Sequence, residues 1–411
     1  MQRGLIIRRD CRWIKSLGVM LVLALSTGCG KVPTWGELTG QQPAAPPTTT
    51  PVAVQPVPSQ TPSTPVLPPK PKAAEVIAKF KALRPAEISD SSLAELGGLT
   101  EGFEDLTEIN ASNSQVTNAG LANLRNLPML KQLELGSTKV DDAGMQHLAQ
   151  IPSLESLTLN QTLVSDEGVS KLTALPNLKK LELMGCHLTQ AGFAAIGKLP
   201  ALEHIVLNRT LGVNDAAVDL ICEAVTLRKL EFNSCNEITD QGLLSLRKLE
   251  VIDDLQISRC NVTGVGLGGA VKQQGLKTLK VLHIYGTPIT EDGAKAINSI
   301  KSLELLAVGE LPINDKGLVM LTQGLKNLKH LHVANCKGVT GSGLTAIKAA
   351  DNLEILSLHG TGLVDQGLVL LKGHKKLKSL DLTNTSCSLA AVQSLKKSLP
   401  NCEILYAGQK Y

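Results

Sequence analysis

The sequence predicts an α/β fold, a solenoid in which short strands build one parallel sheet and a short helix follows each strand. One motif, L-x-x-L-x-L-x-x-(T/C)-x-(V/I)-(T/S)-D-x-G-L-x-x-L-x-x-L, recurs every 24 to 27 residues from Leu106 to the C-terminus. Its Leu-x-Leu core alternates with the period of a strand, and its L-x-x-L-x-x-L end has the spacing of an amphipathic helix. Repetition at a fixed period indicates units that stack to bury one continuous core.

This phasing predicts twelve complete repeats and a terminal strand over residues 106–411. Thr or Asp in the turn of each repeat is a suitable cap for the helix that follows. Residues 73–105 have helical character without a regular strand, and we expect them to form an N-terminal helical cap over the open end of the core. The repeats begin at Leu106, Leu130, Leu154, Leu178, Leu202, Leu227, Ile252, Leu279, Leu303, Leu328, Leu353 and Leu377, and the terminal strand begins at Cys402.

The pattern resembles leucine-rich repeats, most closely the cysteine-containing type and its bacterial relatives. Two representative copies are LKQLELGSTKVDDAGMQHLAQIPS from Leu130 and LESLTLNQTLVSDEGVSKLTALPN from Leu154. The resemblance covers about three quarters of the chain. It implies a horseshoe with a parallel sheet on the concave face and short helices on the convex face. Stacked repeats present extended binding surfaces rather than enclosed catalytic pockets, so the fold indicates a binding protein.

The N-terminus is typical of an export signal. Within residues 1–28, five basic residues precede a nine-residue apolar run, and small residues lead to Cys29. Such a run is too short to span a bilayer but suits the core of a signal peptide. The ending LSTGC resembles a bacterial lipobox, which implies cleavage before Cys29, lipidation of its thiol and a place in the cell envelope, at the outer membrane. An ordinary secretory signal followed by a chance cysteine is the alternative.

Residues 29–72 are expected to be a lipid-anchored, Pro-rich disordered tether. Eleven prolines lie between residues 40 and 71, among Thr, Gln, Ser, Ala and Val. A segment of this composition has too little apolar surface to form a packed core and favours extended chain.

The charge balance argues against a nucleic-acid partner. The formal net charge is +4, but residues 1–28 carry all of that excess, and the rest of the chain has 36 basic and 36 acidic residues. Aromatic residues make up only 2% of the chain, which leaves few platforms for base stacking. The sequence also holds no G-x-S-x-G, H-E-x-x-H or P-loop motif, so it predicts neither an enzyme nor a cofactor.

Most cysteines are expected to be packing residues. Four of the nine, Cys186, Cys235, Cys260 and Cys336, occupy the ninth position of their repeats, where other repeats have Thr. Both side chains are small and carry a modest donor, so either one can bond to the turn backbone from inside the core. Cys235 and Cys260 lie in consecutive repeats, which leaves a disulfide open, although the odd count is unlike a disulfide framework.

Positions 3, 5, 7 and 8 of each repeat are predicted to project from the concave face. The first half of the chain supplies charged residues such as Glu108, Lys180 and Glu231 there, which we interpret as a solvated face. Repeats eight to eleven supply apolar, histidine and tyrosine side chains instead, a combination suited to recognition. We name these eight residues the His–Tyr patch and predict that they contact a partner: Val281, His283, Tyr285, Leu305, His330, His332, Ile355 and His359.

The leading hypothesis is therefore a membrane-anchored lipoprotein that binds a protein or an envelope polymer through its concave face. One alternative is a substrate-recognition adaptor similar to the F-box leucine-rich-repeat proteins of ubiquitin ligases, although no F-box-like helical domain precedes the repeats. Another is a metal- or small-ligand-binding protein, because His330 and His332 lie on one strand face and His359 on the next. No carboxylate or cysteine completes that set, so the sequence predicts no metal site.

Overall fold

The structure is a computed structural model that describes residues 73–104, 106–273 and 275–411. It confirms the predicted fold class. Thirteen strands pair in chain order, each parallel to the next, and a helix follows each of the first twelve, which makes an open solenoid. The predicted signal peptide (1–28), the tether (29–72) and Cys29 lie outside the described residues.

The strands begin two residues after the first leucine of each repeat, as the alternation requires. They are β1 (Glu108–Asn110), β2 (Gln132–Glu134), β3 (Ser156–Thr158), β4 (Lys180–Glu182), β5 (His204–Val206), β6 (Lys229–Glu231), β7 (Asp254–Gln256), β8 (Val281–Tyr285), β9 (Leu305–Gly309), β10 (His330–Ala334), β11 (Ile355–Ser357), β12 (Ser379–Asp381), β13 (Glu403–Tyr406) and β14 (Gln409–Lys410).

Two short helices precede β1, and most of the others follow a strand. The α-helices are α1 (Ala73–Lys81), α2 (Asp90–Gly97), α3 (Asn118–Leu121), α4 (Asp142–Leu148), α5 (Asp166–Leu172), α6 (Gln190–Ile196), α7 (Asp215–Ile221), α8 (Asp240–Leu243), α9 (Val265–Lys272), α10 (Glu291–Asn298), α11 (Asp315–Thr322), α12 (Asp365–Leu368) and α13 (Leu389–Ser398). Short 3₁₀ helices span Pro85–Glu87, Leu124–Asn126, Leu244–Lys248, Ser342–Ala349 and Val369–Gly373. The described helices include none that is both long and apolar enough to cross a bilayer.

The leucines of the motif form the core. In the third repeat, Leu154, Leu157, Leu159 and Leu172 are all 0% exposed, and corresponding residues of the other repeats are buried with them in one continuous cluster. Each fully buried leucine contributes roughly 1.5–3 kcal/mol relative to an exposed one. A single repeat cannot bury its leucines without neighbouring repeats on both sides, so the repeats are stable only when they are stacked.

The ninth position of each repeat behaves as its chemistry predicts. The Thr138 hydroxyl donates to the carbonyl oxygen of Leu135 at 2.6 Å, and Thr162 donates to Leu159 at 2.7 Å. The thiol of Cys260 instead contacts the carbonyl oxygen of Phe232 in the preceding repeat, at 2.8 Å. The seven described cysteines are free and buried, and Cys235 and Cys260 are not joined.

After each strand, the residue at the eighth position of the repeat has a left-handed backbone conformation. Its φ lies between 53° and 72° in all twelve repeats. Only three of these residues are glycine, so the turn imposes a conformation that most side chains disfavour. They are Asn113, Ser137, Gln161, Gly185, Arg209, Ser234, Arg259, Gly286, Glu310, Asn335, Gly360 and Asn384.

Where a repeat has the aspartate of the motif, this residue links its helix to the following repeat. Asp142 is the first residue of α4, yet its carboxylate accepts from the backbone N–H of Ser165 at 2.7 Å, from the Ser165 hydroxyl at 2.5 Å and from the N–H of Gly168 at 3.0 Å, all in the following repeat. A Cβ on Gly168 would lie 2.4 Å from this carboxylate, which explains the glycine of D-x-G. We name these contacts aspartate links; they join Asp90 to Thr117, Asp142 to Ser165, Asp166 to Thr189, Asp215 to Thr239, Asp240 to Thr263, Asp315 to Thr340 and Asp365 to Ser388.

Both ends of the described solenoid are covered. At the N-terminal end, α1 and α2 contribute Val76, Phe80 and Leu93 to the core. At the C-terminal end, the chain turns back after β13 and adds β14, which pairs antiparallel with β13 and was not predicted from the sequence. The Tyr406 hydroxyl fixes this end by donating to the carbonyl oxygen of Cys387 at 2.7 Å.

The short helix predicted for every repeat is a 3₁₀ helix in the tenth, Ser342–Ala349. The preceding residue, Gly341, stands where most repeats have Asp, has φ 132° and makes no side-chain cap. The N–H groups of Gly341 and Gly343 bond instead to Asp315 of the ninth repeat.

We predict that Asp142→Ala lowers the free energy of unfolding by about 1–3 kcal/mol, because it leaves the N–H groups of Ser165 and Gly168 without their acceptor. Urea denaturation followed by circular dichroism measures the change. Asp292→Ala is the matched control, since Asp292 is also in the first turn of a helix but pairs only with the exposed Lys295. Equal midpoints for the two variants would show that the aspartate links add nothing to stability.

Candidate binding surface on the concave face

The concave face is the solvent side of the sheet formed by β1 to β13. All eight residues of the His–Tyr patch lie there and are half-buried. Strand register places them in rows across β8 to β11: Val281 pairs with Leu305, Leu305 with His330, and His330 with Ile355. His283, Ala307 and His332 form the second row, and Tyr285 and Gly309 belong to the third. The structure therefore brings the predicted residues together on four adjacent strands.

Two small residues of β9 lie in the middle of the patch, covered by its larger side chains. Ala307 lies between His283 and His332 and is only 1% exposed, so the neighbouring side chains cover it. Gly309 lies beside Tyr285, and a Cβ at Gly309 would sit 2.3 Å from the Cε1 atom of the tyrosine ring. The ring can lie against the sheet only because residue 309 has no side chain.

The two inner histidines favour the neutral form. Burial lowers the pKa of His283 below its ordinary value of 6.5, although Asp254 opposes the shift. Burial also lowers the pKa of His332, and repulsion from His330 and His283 adds to the effect. At neutral pH the imidazoles of His283 and His332 are thus uncharged and lie among apolar side chains and one phenol.

The histidines do not form a metal site of the kind considered from the sequence. Within the described chain, no group of three or more His, Cys, Asp or Glu side chains has a geometry suited to a metal ion. The three histidines lie in three different rows of the concave face: His330 is in the first row, His332 in the second, and His359, which follows β11, in the third.

The charged half of the concave face is a network of ion pairs rather than a set of independently solvated charges. Lys229 contacts both Glu231 and Asp254 at 3.2 Å, and His204 Nε2 lies 3.0 Å from Glu231 Oε1. Burial alone would raise the pKa of Glu231, but the contacts with His204 and Lys229 outweigh it and lower that pKa to about 2. The sequence-based interpretation of a solvated face is corrected accordingly, because alternating signs on adjacent strands neutralise each other.

A second concave feature lies between the ion pairs and the patch. We name it the Arg–Asn groove: a shallow groove of about 500 Å³ at the ends of β5 to β8, lined by Arg209, Asn233, Ser258, Arg259 and Tyr285 among others. On its rim, Arg259 forms an ion pair with Glu310 at 3.2 Å. This pair passes above Gly286, where a Cβ would lie 3.1 Å from Arg259 Cγ.

The groove was not predicted from the sequence, because most of its residues belong to positions 7 and 8 of the repeats and the left-handed conformation at position 8 was unknown. A signal was present at position 7, where Asn160, Asn208 and Asn233 recur. In the structure the Asn208 side-chain oxygen accepts from the Asn233 N–H at 2.7 Å, and that of Asn233 accepts from the Ser258 N–H at 3.1 Å. The recurrence thus marks a ladder of side chain-to-backbone bonds between repeats.

The buried thiols are unsuited to chemistry. Burial raises the pKa of the Cys235 thiol to about 12 and that of Cys260 to about 11. Thiolates are the nucleophilic and metal-binding form, so these cysteines are inert near neutral pH.

We predict that acid destabilises the protein through its inner histidines. Because folding lowers the pKa of His283 and His332 below 6.5, the unfolded chain takes up protons first, and the free energy of unfolding falls as the pH drops below about 6.5. Urea titrations between pH 8 and 5 measure this slope. The variant His283→Gln/His332→Gln should flatten it, with a residual slope from His374, whose pKa is also lowered by burial. His187→Gln, at an exposed residue, serves as the control, and a double variant with the wild-type slope would contradict the assignment.

Comparison with known proteins agrees with the architecture. The sequence model of the Leucine Rich repeat family matches residues 224–246 and 324–348. No curated protein matches the chain. Among solved structures, an internalin from Listeria monocytogenes is similar with 17% identity and a TM-score of 0.45, over 81% of this chain and 93% of the internalin. TLR13, in its complex with ssRNA13, is similar with 17% identity and a TM-score of 0.49, over 72% of this chain and 48% of the TLR13 chain. The two matched segments resemble leucine-rich repeats, and the described chain is a solenoid of parallel strands with outer helices.

Proposed function

We propose that this protein is a binding protein that recognises another protein through the His–Tyr patch. The observation that carries the proposal is the packing of large side chains over two small residues of β9: Tyr285 lies against Gly309, and His283 and His332 flank Ala307. A partly apolar surface with an ordered aromatic ring suits contact with a partner protein.

The composition of the patch favours a protein partner. Val281, Leu305 and Ile355 form an apolar row beside the histidines, and all three keep part of their surface in solvent. Interface centres are depleted in charge and enriched in aromatic residues, and here the charged network ends at β7, before the patch begins. The apolar row therefore provides area, and Tyr285 and the neutral imidazoles provide directional bonds.

We further propose that the protein is anchored in the cell envelope through a lipidated Cys29, at the outer membrane. The support is the order of segments in the sequence: a basic and apolar N-terminus, the LSTGC ending and a proline-rich stretch before the first repeat. At ~3.1 Å per residue, an extended proline-rich stretch would hold the solenoid on the order of 100 Å from the membrane. An envelope polymer is the second candidate partner, supported by the polar Arg–Asn groove beside the patch.

We predict that Gly309→Ala weakens partner binding about tenfold or more, because the new Cβ would occupy the position of the Tyr285 ring and displace it. Pull-down from envelope extracts, followed by titration of the recovered partner, measures the loss. Gly373→Ala is the matched control, since no atom lies within 4 Å of a Cβ placed there. Tyr285→Ala/His332→Ala should abolish recovery. Equal recovery by the wild type and all three variants would refute the patch.

We predict that labelled palmitate is incorporated into the full chain in a bacterial host and that Cys29→Ala blocks the incorporation. The variant should also leave the membrane fraction, because one thiol carries the anchor. Cys222→Ala is the control and should remain labelled, as Cys222 is buried in the repeats. An unlabelled wild-type protein would overturn the lipoprotein proposal without affecting the patch.

A further inference from the structure

The Arg–Asn groove carries unused hydrogen-bonding capacity that the His–Tyr patch does not explain. Asn233, Ser258 and Tyr285 follow one another at the seventh position of consecutive repeats, so their side chains stand about 4.8 Å apart across the sheet. Within the described chain, the Nδ2 group of Asn233 and the hydroxyls of Ser258 and Tyr285 have no hydrogen-bond partner. The groove therefore offers a short row of free polar groups.

These groups are held in place before any ligand arrives. The side-chain oxygen of Asn233 is bound to the N–H of Ser258 at 3.1 Å, which fixes the amide and directs its NH₂ away from the backbone. Tyr285 is confined by its contact with Gly309. Ordered donors lose little entropy on binding, which favours affinity for a small polar ligand.

The groove is also positively charged. Arg209 and Arg259 face the single carboxylate of Glu310, and Glu310 is already paired with Arg259 at 3.2 Å. In the described part of the chain, no carboxylate lies within ion-pair distance of Arg209, which is exposed on the rim. One guanidinium thus remains for one anionic group, and a guanidinium matches a carboxylate through two parallel hydrogen bonds.

We propose that the Arg–Asn groove is a binding site for an acidic oligosaccharide, with a sugar carboxylate on Arg209 and sugar hydroxyls on Asn233, Ser258 and Tyr285. Polar side chains dominate the lining, whereas a peptide would require buried apolar anchors that the groove lacks apart from Met184 and Tyr285. A hydroxyl-rich ligand satisfies amide and hydroxyl groups in a shallow groove, and the phenol ring offers it one apolar surface.

An array of uronic-acid oligosaccharides, each beside its carboxyl-reduced neutral counterpart, tests the proposal with the full chain in detergent. The wild type should bind acidic members about tenfold more tightly than their neutral counterparts, and added salt should reduce the preference. Arg209→Gln should remove the preference, and Arg209→Lys should restore part of it. Arg247→Gln, at an exposed arginine within the short helix Leu244–Lys248, should behave as the wild type.

Three outcomes would overturn the proposal: no acidic oligosaccharide is bound, neutral counterparts are bound equally, or Arg209→Gln keeps the preference. An array of acidic peptides run in parallel decides the remaining alternative, since retention of peptides in place of sugars would also overturn it. Arg209 lies outside the His–Tyr patch, so failure here leaves the proposed protein partner standing. Tyr285 lines both surfaces, so the Arg209 variants, which leave Tyr285 in place, are the ones that separate the two proposals.

Discussion

Every structural feature of this solenoid depends on one constraint: a repeat buries its leucines only when the next repeat stacks on it in the same register. Leu154, Leu157 and Leu159 are fully buried because equivalent leucines lie above and below them. The stack then fixes the distance between equivalent side chains on neighbouring strands at about 4.8 Å. Residues that lie some 25 positions apart in sequence therefore become neighbours. Each row of the concave face consists of the side chains at one position of successive repeats.

The sequence predicted the parts of the fold that this periodicity controls. The strands begin at the expected position of each repeat, and Thr138 and Cys260 bond to backbone carbonyl oxygens as their size and chemistry suggested. The turn itself was not predicted, because Arg209 and Glu310 give no sign of a left-handed conformation. The aspartate links were also missed: Asp142 looks like a cap for its own helix, and only the stacking reveals that it serves the next one.

The concave face shows the same division. Which residues lie on the concave face could be predicted from their position in the repeat, and the eight residues of the His–Tyr patch do share one surface. Its electrostatics did not follow, because pairing depends on side-chain geometry between strands. Lys229 and Glu231 appear in the sequence as separate charges, yet together with Asp254 and His204 they form one compensated network. Only Arg209 remains without such compensation at the groove, and no pattern of spacing distinguishes it from Arg259.

Near the patch, the contacts that join neighbouring repeats differ from those in the rest of the stack. At the seventh and eighth repeats, Gly264 and Glu291 occupy the aspartate position, and Glu291 joins α10 to α11 through an ion pair with the exposed Lys316 at 2.7 Å in place of an aspartate link. The sheet side is reinforced at this point, since β8, β9 and β10 each have five residues, whereas β1 to β7 have three. Five successive pairs join β8 to β9 and β9 to β10, which holds Tyr285 over Gly309 and the histidines beside Ala307. The longer strands thus keep the register under the patch at repeats where aspartate links are absent. They also give a partner a rigid surface that needs little ordering on binding.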